Sequence, residues 1–179
     1  SRATYLYDDV VKGNCIGRLS KIIDLSGSTE FFYDNLGREI KSIKTVSGSS
    51  YTVERTYDAL DRLITLKYPD GEILTYTYNP QGIESVQGQS PVGTVSYVTN
   101  IDYSATGQLT KVNYGNGVET SYTYDPNTLR LSSLISQSAK GRIQDLSYQF
   151  DNVGNIKQIG DYVNTATQDF IYDDLDRLI

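Results

Sequence analysis

Six aspartates directly follow an aromatic residue in a recurring phrase: Asp8, Asp34, Asp58, Asp125, Asp151 and Asp173. Carboxylates repeated along a chain can do two kinds of chemistry. Two of them at a set separation can hydrolyse a glycosidic bond, and a cluster can hold calcium through oxygen ligands. The pairs Asp8-Asp9 and Asp173-Asp174 lean towards the metal, but neither has the spacing of an EF-hand loop. Arg18, Arg38, Arg62, Arg130 and Arg177 could grip an anionic ligand, or pair with a neighbouring Asp and stack on a Tyr ring. Tyr rows could stack on sugars. Cys15 could act as a nucleophile, but the sequence has no His to activate it. Gly13 to Gly17 is not a phosphate loop, because no Gly-Lys-Ser/Thr follows.

These residues belong to a repeat. The phrase is an aromatic, an Asp, two variable residues, a Gly or Asp, a polar or basic residue, then Leu or Ile. It reads Tyr33-Asp34-Asn35-Leu36-Gly37-Arg38, then Tyr57-Asp58-Ala59-Leu60-Asp61-Arg62-Leu63. It returns at Phe150-Asp151-Asn152-Val153-Gly154-Asn155-Ile156 and at Tyr172-Asp173-Asp174-Leu175-Asp176-Arg177-Leu178. Weaker copies start at Tyr78, with Gly82, and at Tyr103, with Gly107. Two copies carry insertions: Tyr124-Asp125 reaches Arg130 one residue late, and Tyr7-Asp8 reaches Gly17-Arg18 six residues late. The lead aromatics are spaced by 26, 24, 21, 25, 21, 26 and 22 residues. An Asp in six of the eight units, with Asn79 and Ser104 in the other two, is what turn chemistry requires: the side chain accepts a backbone N–H two residues on. Equivalent carboxylates in six of the eight units single out no active site.

The elements that carry the phrase read as strands. Ile64, Leu66 and Tyr68 point one way and Thr65 and Lys67 the other; Leu74, Tyr76 and Tyr78 again share a face. Alternation with Tyr, Thr, Ile and Val indicates β-structure. Asp70-Gly71 and Asn116-Gly117 are hairpin signals. The fifth position of the lead phrase is expected to be left-handed, which Gly37, Gly82, Gly107 and Gly154 suit and Asp61 and Asp176 tolerate. Ser47–Ser50, Gln87–Gly93 and Ser138–Gly141 are expected to be larger loops in the longer units. The expected fold is all-β: about eight β-hairpin repeats stacked into a curved, solenoid-like sheet, since one hairpin cannot bury its own apolar face.

Composition narrows the function. Of 179 residues, 16 are Tyr; His, Met and Trp are absent and there is one Cys. Triads that use His, disulfides within the chain and multi-Cys zinc sites are therefore excluded. The formal net charge of −6 argues against non-specific nucleic-acid binding and against an acidic membrane surface. No cofactor or metal ligand set is expected.

The phrases at Tyr33, Tyr57, Phe150 and Tyr172, with their Gly-Arg-Leu-type endings, resemble the YD repeat, also called the RHS repeat. The Tyr7 copy, with Gly13-Asn14-Cys15-Ile16-Gly17-Arg18-Leu19, resembles an insertion-bearing variant of it. The resemblance covers Tyr7 to Ile179, so residues 1–179 are expected to be one YD-repeat segment and a fragment of a far longer protein. The family includes bacterial Rhs proteins, C components of insecticidal toxin complexes, wall-associated proteins and teneurins. It implies a strip of hairpins that winds into a hollow shell, which in bacterial members encloses a C-terminal toxin domain. The family's core-closing Asp-Pro-x-Gly-Leu motif is absent here. The expectation is a non-catalytic shell segment, secreted or at the cell surface. Its expected partners are further YD repeats, an encapsulated effector domain and, through its edges, copies of itself. The alternative is an extracellular carbohydrate-binding or adhesion module.

Overall fold

The computed structural model describes residues 3–179. It is built of fifteen strands and one 3-10 turn, Val10–Lys12. The strands are β1 (Thr4–Tyr7), β2 (Leu19–Asp24), β3 (Gly27–Tyr33), β4 (Glu39–Val46), β5 (Ser49–Tyr57), β6 (Leu63–Lys67), β7 (Ile73–Tyr78) and β8 (Ile83–Ser90). They continue as β9 (Gly93–Tyr103), β10 (Leu109–Tyr114), β11 (Glu119–Tyr124), β12 (Leu131–Ser138), β13 (Gly141–Phe150), β14 (Ile156–Asp161) and β15 (Ala166–Asp169). The strands neighbour one another in chain order, and the registered pairs are antiparallel. The expected hairpin array is therefore the observed architecture. Among the described residues no helix is long and apolar enough to cross a membrane.

The chain forms two compact units, Ser1–Thr77 with Gln87–Val95, and Tyr78–Val86 with Ser96–Ile179. In the first, the ladder between β4 and β5 runs from Lys41↔Glu54 to Val46↔Ser49. In the second, β12 pairs β13 from Ser133↔Ser147 to Ser138↔Gly141.

Burial alternates as expected in β7 but not in β6, where Leu63, Ile64, Thr65 and Leu66 are all half-buried and Tyr68 beyond it is exposed. In β7, Leu74, Tyr76 and Tyr78 are half-buried while Ile73, Thr75 and Thr77 are exposed. Burial is shallow throughout. Among the described residues the buried apolar side chains are Cys15 and Val112, joined by polar Ser20, Thr120, Ser136 and Asp145. A single layer has no second sheet to close over its apolar face, so its residues stay half-covered.

Three segments expected as larger loops are tight turns instead. Ser47 and Gly48 take φ of 49° and 82°. Positive φ at both central residues matches the right-handed strand twist, so Ser49 and Ser50 join β5. Ser138↔Gly141 are paired across Ala139-Lys140. β8 and β9 run to Ser90 and from Gly93, leaving only Pro91-Val92 between them. The additional residues of these units lengthen strands and not loops.

One glycine is fixed by close approach. The Gly115 N–H donates to the Tyr97 carbonyl at 3.1 Å, and a Cβ at Gly115 would collide with the Ser96 carbonyl. Gly115→Ala is expected to destabilise the chain by roughly 1–3 kcal/mol, the usual cost of overpacking. Urea denaturation checks this; an unchanged midpoint would show that the two strands can part freely at this point.

Candidate functional site: the lead turns and the junctions between repeats

The lead turns are closed by their aspartates. Asp34 Oδ1 accepts the N–H groups of Leu36 at 3.0 Å and Arg38 at 2.9 Å, and Oδ2 accepts Arg38 Nε at 2.7 Å. Asp58 does the same with Leu60 at 2.8 Å, Arg62 at 3.0 Å and Arg62 Nε at 2.7 Å. Asp173 repeats the pattern with Leu175 and Arg177. Asp151 collects the N–H groups of Val153, Gly154 and Asn155, and its Oδ2 takes the Asn155 amide. In the weaker copies Asn79 and Ser104 substitute their own side-chain oxygens. In the long first copy Asp8 Oδ1 accepts the Gly17 N–H at 2.5 Å.

These bonds leave the carboxylates ionised. The pKa of Asp58 is lowered, chiefly by the Arg62 N–H and then by its guanidinium against some burial. Asp173 is lowered through the Arg177 side chain and N–H, and Asp125 through the N–H and hydroxyl of Thr128. At Asp34 and Asp151 burial pushes upward most strongly of any single cause. The donors of Arg38, and of Asn155 with Gly154, together outweigh it, so both are also lowered. A general acid for glycoside hydrolysis needs a raised carboxyl pKa. Asp125 and Asp151 line one cleft, yet both move in the opposite direction. Among the described residues no group of three or more His, Cys, Asp or Glu is arranged to hold a metal ion.

The fifth position is left-handed at Gly37 (83°), Asp61 (60°), Gly107 (81°), Gly154 (113°) and Asp176 (57°). Gly82 departs from the expectation, since it is not among the positive-φ residues. Its turn is one residue shorter: the Asn79 N–H bonds to the Gly82 carbonyl, where Asp34 N–H bonds to the Arg38 carbonyl. Gly82 thus fills the sixth position. It is glycine there because a Cβ would lie 2.8 Å from the Tyr103 hydroxyl. In the turn with one inserted residue, the left-handed conformation falls on Leu129 (57°). Counting back from Arg130, and not forward from Tyr124, would have found it.

The sixth residue reaches forward to the next repeat. Arg38 Nη1 donates to the Asp58 carbonyl at 2.9 Å and to Asp61 Oδ1 at 2.7 Å, with the guanidinium carbon 5.0 Å from the Tyr57 ring centre. Gln108 donates to the Leu129 carbonyl at 2.7 Å, and Asn155 to Asp176 at 2.8 Å. Arg130 donates to the Asp151 carbonyl at 3.0 Å and lies over Phe150. Arg18 lies over Tyr33; its guanidinium donates to the Asn14 and Ile16 carbonyls, and Asn14 donates onward to the Tyr33 carbonyl. Arg38, Arg62 and Arg177 are paired within their own turns.

The lead tyrosine reaches back. Its hydroxyl donates to the carbonyl of the first residue after the preceding turn: Tyr33 to Leu19 (2.7 Å), Tyr57 to Glu39 (2.9 Å) and Tyr103 to Ile83 (2.9 Å). Tyr124 does so to Leu109 (2.8 Å) and Tyr172 to Ile156 (3.0 Å). Burial pushes the Tyr33 and Tyr57 hydroxyls up in pKa, so they remain donors at neutral pH. This partnership was invisible in the sequence, because it joins residues 14 to 20 apart. Cys15 is buried in the long first insertion, its Sγ 3.9 Å from the Phe31 carbonyl.

Two outcomes follow. Tyr124→Phe removes a hydroxyl and strands a half-buried carbonyl, for an expected loss of about 1 kcal/mol in urea unfolding; Tyr5→Phe, at an exposed position, serves as control. The lowered carboxyl pKa values make the turns acid-labile. Their contribution is fully present above the unfolded value of about 3.9 and is lost as the pH falls from there through the lower native values. Stability measured from pH 6 downward should stay level and then drop below about pH 4; a curve that keeps level into strong acid would contradict the linkage.

The teneurin YD-shell family profile matches residues 24–179. No curated protein matches the chain. Its fold is similar to that of TcdB2-TccC3 without its hypervariable C-terminal region (TM-score 0.82, 22% identity) and of TcdB2-TccC3-TEV (0.81, 22%). It is likewise similar to the Tc holotoxin pore of Photorhabdus luminescens (0.80, 22%). Each match covers 99% of this chain but 10% of the other. With the aromatic–Asp turn, the forward-reaching sixth residue and the backward-reaching tyrosine all repeated from one hairpin to the next, the chain belongs to the teneurin YD-shell family.

Proposed function

We propose that this chain is a non-catalytic wall segment of a larger secreted or cell-surface shell of the toxin type. Further YD repeats continue the wall, and it encloses or presents an effector domain. The carrying observation is how the polar groups of the repeat are used. The lead aspartates accept the donors of their own turns, and five lead tyrosines hold the preceding repeat. The groups that first suggested chemistry serve as fastenings, and the lowered carboxyl pKa values suit fixed acceptors and not proton donors. The family match and the toxin-complex folds support the same reading.

The test is limited proteolysis of the full-length protein that carries this segment. A domain enclosed by the wall is expected to resist protease until the wall is opened by mild acid or denaturant, and to be cleaved in step with that opening. Equal cleavage in the closed and opened states would overturn the enclosure. Saturable binding of the isolated chain on a glycan array would overturn the wall reading in favour of adhesion.

A further inference from the structure

Repeats six and seven meet at a junction that differs from the one between repeats two and three in three ways. The lead aromatic is Phe150, which has no hydroxyl to carry to the Leu131 carbonyl. The residue inserted after Tyr124 lets Asp125 Oδ1 bond to Asn127 and Thr128, so Arg130 lacks the own-turn ion pair of Arg38, Arg62 and Arg177. The fifth residue of the next turn is Gly154, where Arg38 finds the Asp61 carboxylate. The half-buried Arg130 side chain keeps one hydrogen bond, from Nη1 to the Asp151 carbonyl at 3.0 Å. A guanidinium has five N–H donors. Beside it the strands part beyond Ser133↔Ser147, leaving a cleft of about 380 Å³ whose lining includes Thr128, Arg130, Ser132, Tyr148 and Phe150.

We infer that this cleft binds a carboxylate group, with Arg130 as its anchor. The chain itself holds the template. Arg38, at the same place in its repeat, takes Asp34 Oδ2 on Nε and Asp61 Oδ1 on Nη1, so an arginine here is built to be met by carboxylates from two sides. At Arg130 neither carboxylate makes an ion pair, Asp125 acting on it only through space, and a cleft opens beside it. The planar fork of a guanidinium matches a carboxylate bidentately. Phe150 covers one face of the guanidinium, which keeps water from that side and strengthens such a bond; Tyr148 lines the same cleft. Asp125 and Asp151 lie in the same lining. Their charge keeps the affinity low and penalises a phosphate dianion more than a single carboxylate, so the site favours the carboxylate. The group comes from an acidic side chain of a polypeptide or from a small organic acid; the chemistry is the same for both. This site stands apart from the wall reading and survives if that reading fails.

The test is an NMR titration of the chain with sodium acetate, against sodium chloride and sodium phosphate at equal ionic strength. Capped Gly-Asp-Gly and Gly-Asn-Gly peptides form a second arm. The Arg130 Nε–H and the Phe150 and Tyr148 rings are expected to shift saturably with acetate and with the Asp peptide, more weakly with phosphate, and not with chloride or the Asn peptide. Tighter binding of the Asp peptide than of acetate assigns the site to a polypeptide; equal binding assigns it to a small acid. Arg130→Gln, which copies Gln108 of the preceding repeat, should weaken binding at least tenfold with the remaining spectrum unchanged. Arg130→Lys should weaken it too, because charge without the fork is insufficient. Shifts that persist in Arg130→Gln, binding by Arg130→Lys equal to the parent, stronger shifts with phosphate, or no saturation with acetate would each overturn the proposal.

Discussion

A tyrosine hydroxyl spanning a gap between strands is the interaction on which the array depends. At five junctions where the ladder and the lead residue can be compared, the register ends at a pair, and the geometry beyond it is constant. The pairs are Lys21↔Glu30, Lys41↔Glu54, Lys111↔Ser121, Ser133↔Ser147 and Gln158↔Asp169. Two residues before the first member lies the carbonyl that follows a turn, and three residues after the second lies the lead aromatic. Past the last pair the strands part, and four of the five gaps are bridged by a hydroxyl. A phenol is the side chain that can both cover apolar surface and end in a donor at that reach. This accounts for five of the sixteen Tyr.

The forward and backward contacts divide the work. The aspartate fixes the turn by taking its N–H groups, which leaves the sixth side chain projecting to the following repeat. The tyrosine of that repeat then returns a bond to the strand just behind the turn. Each repeat is thus tied to its neighbours by polar contacts at the turn edge and by the backbone ladder further along. With only two buried apolar side chains among the described residues, stability is a sum over such neighbour contacts, as in other repeat proteins.

The local half of this was legible in the sequence. An Asp followed by a Gly or Asp three residues later specifies a turn whatever surrounds it, and Asp34, Asp58, Asp151 and Asp173 form the turns the spacing implied. Period-two alternation correctly gave the strands. Non-local features were not legible. Gly82 looked like a fifth-position glycine because only the space beside Tyr103 shows that it fills the sixth. Leu129 gave no compositional hint of positive φ. The Ser/Gly-rich segments looked like loops because extended strand and extended loop share a composition when the strand is edge-polar; pairing across Ser47-Gly48 decided the matter.

Each lead turn fastens only to the turn before it and the turn after it. Removing or adding one whole repeat therefore preserves the hydroxyl fastening wherever the new neighbours present a Tyr ring and a carbonyl after the turn. The length of such a wall is then free to drift by duplication or loss of units of 21 to 26 residues, and even the single residue inserted after Tyr124 leaves the Asn155–Asp176 and Tyr172–Ile156 fastenings downstream of it intact. Selection on a protein of this kind can act on each junction separately, and leaves the number of units free.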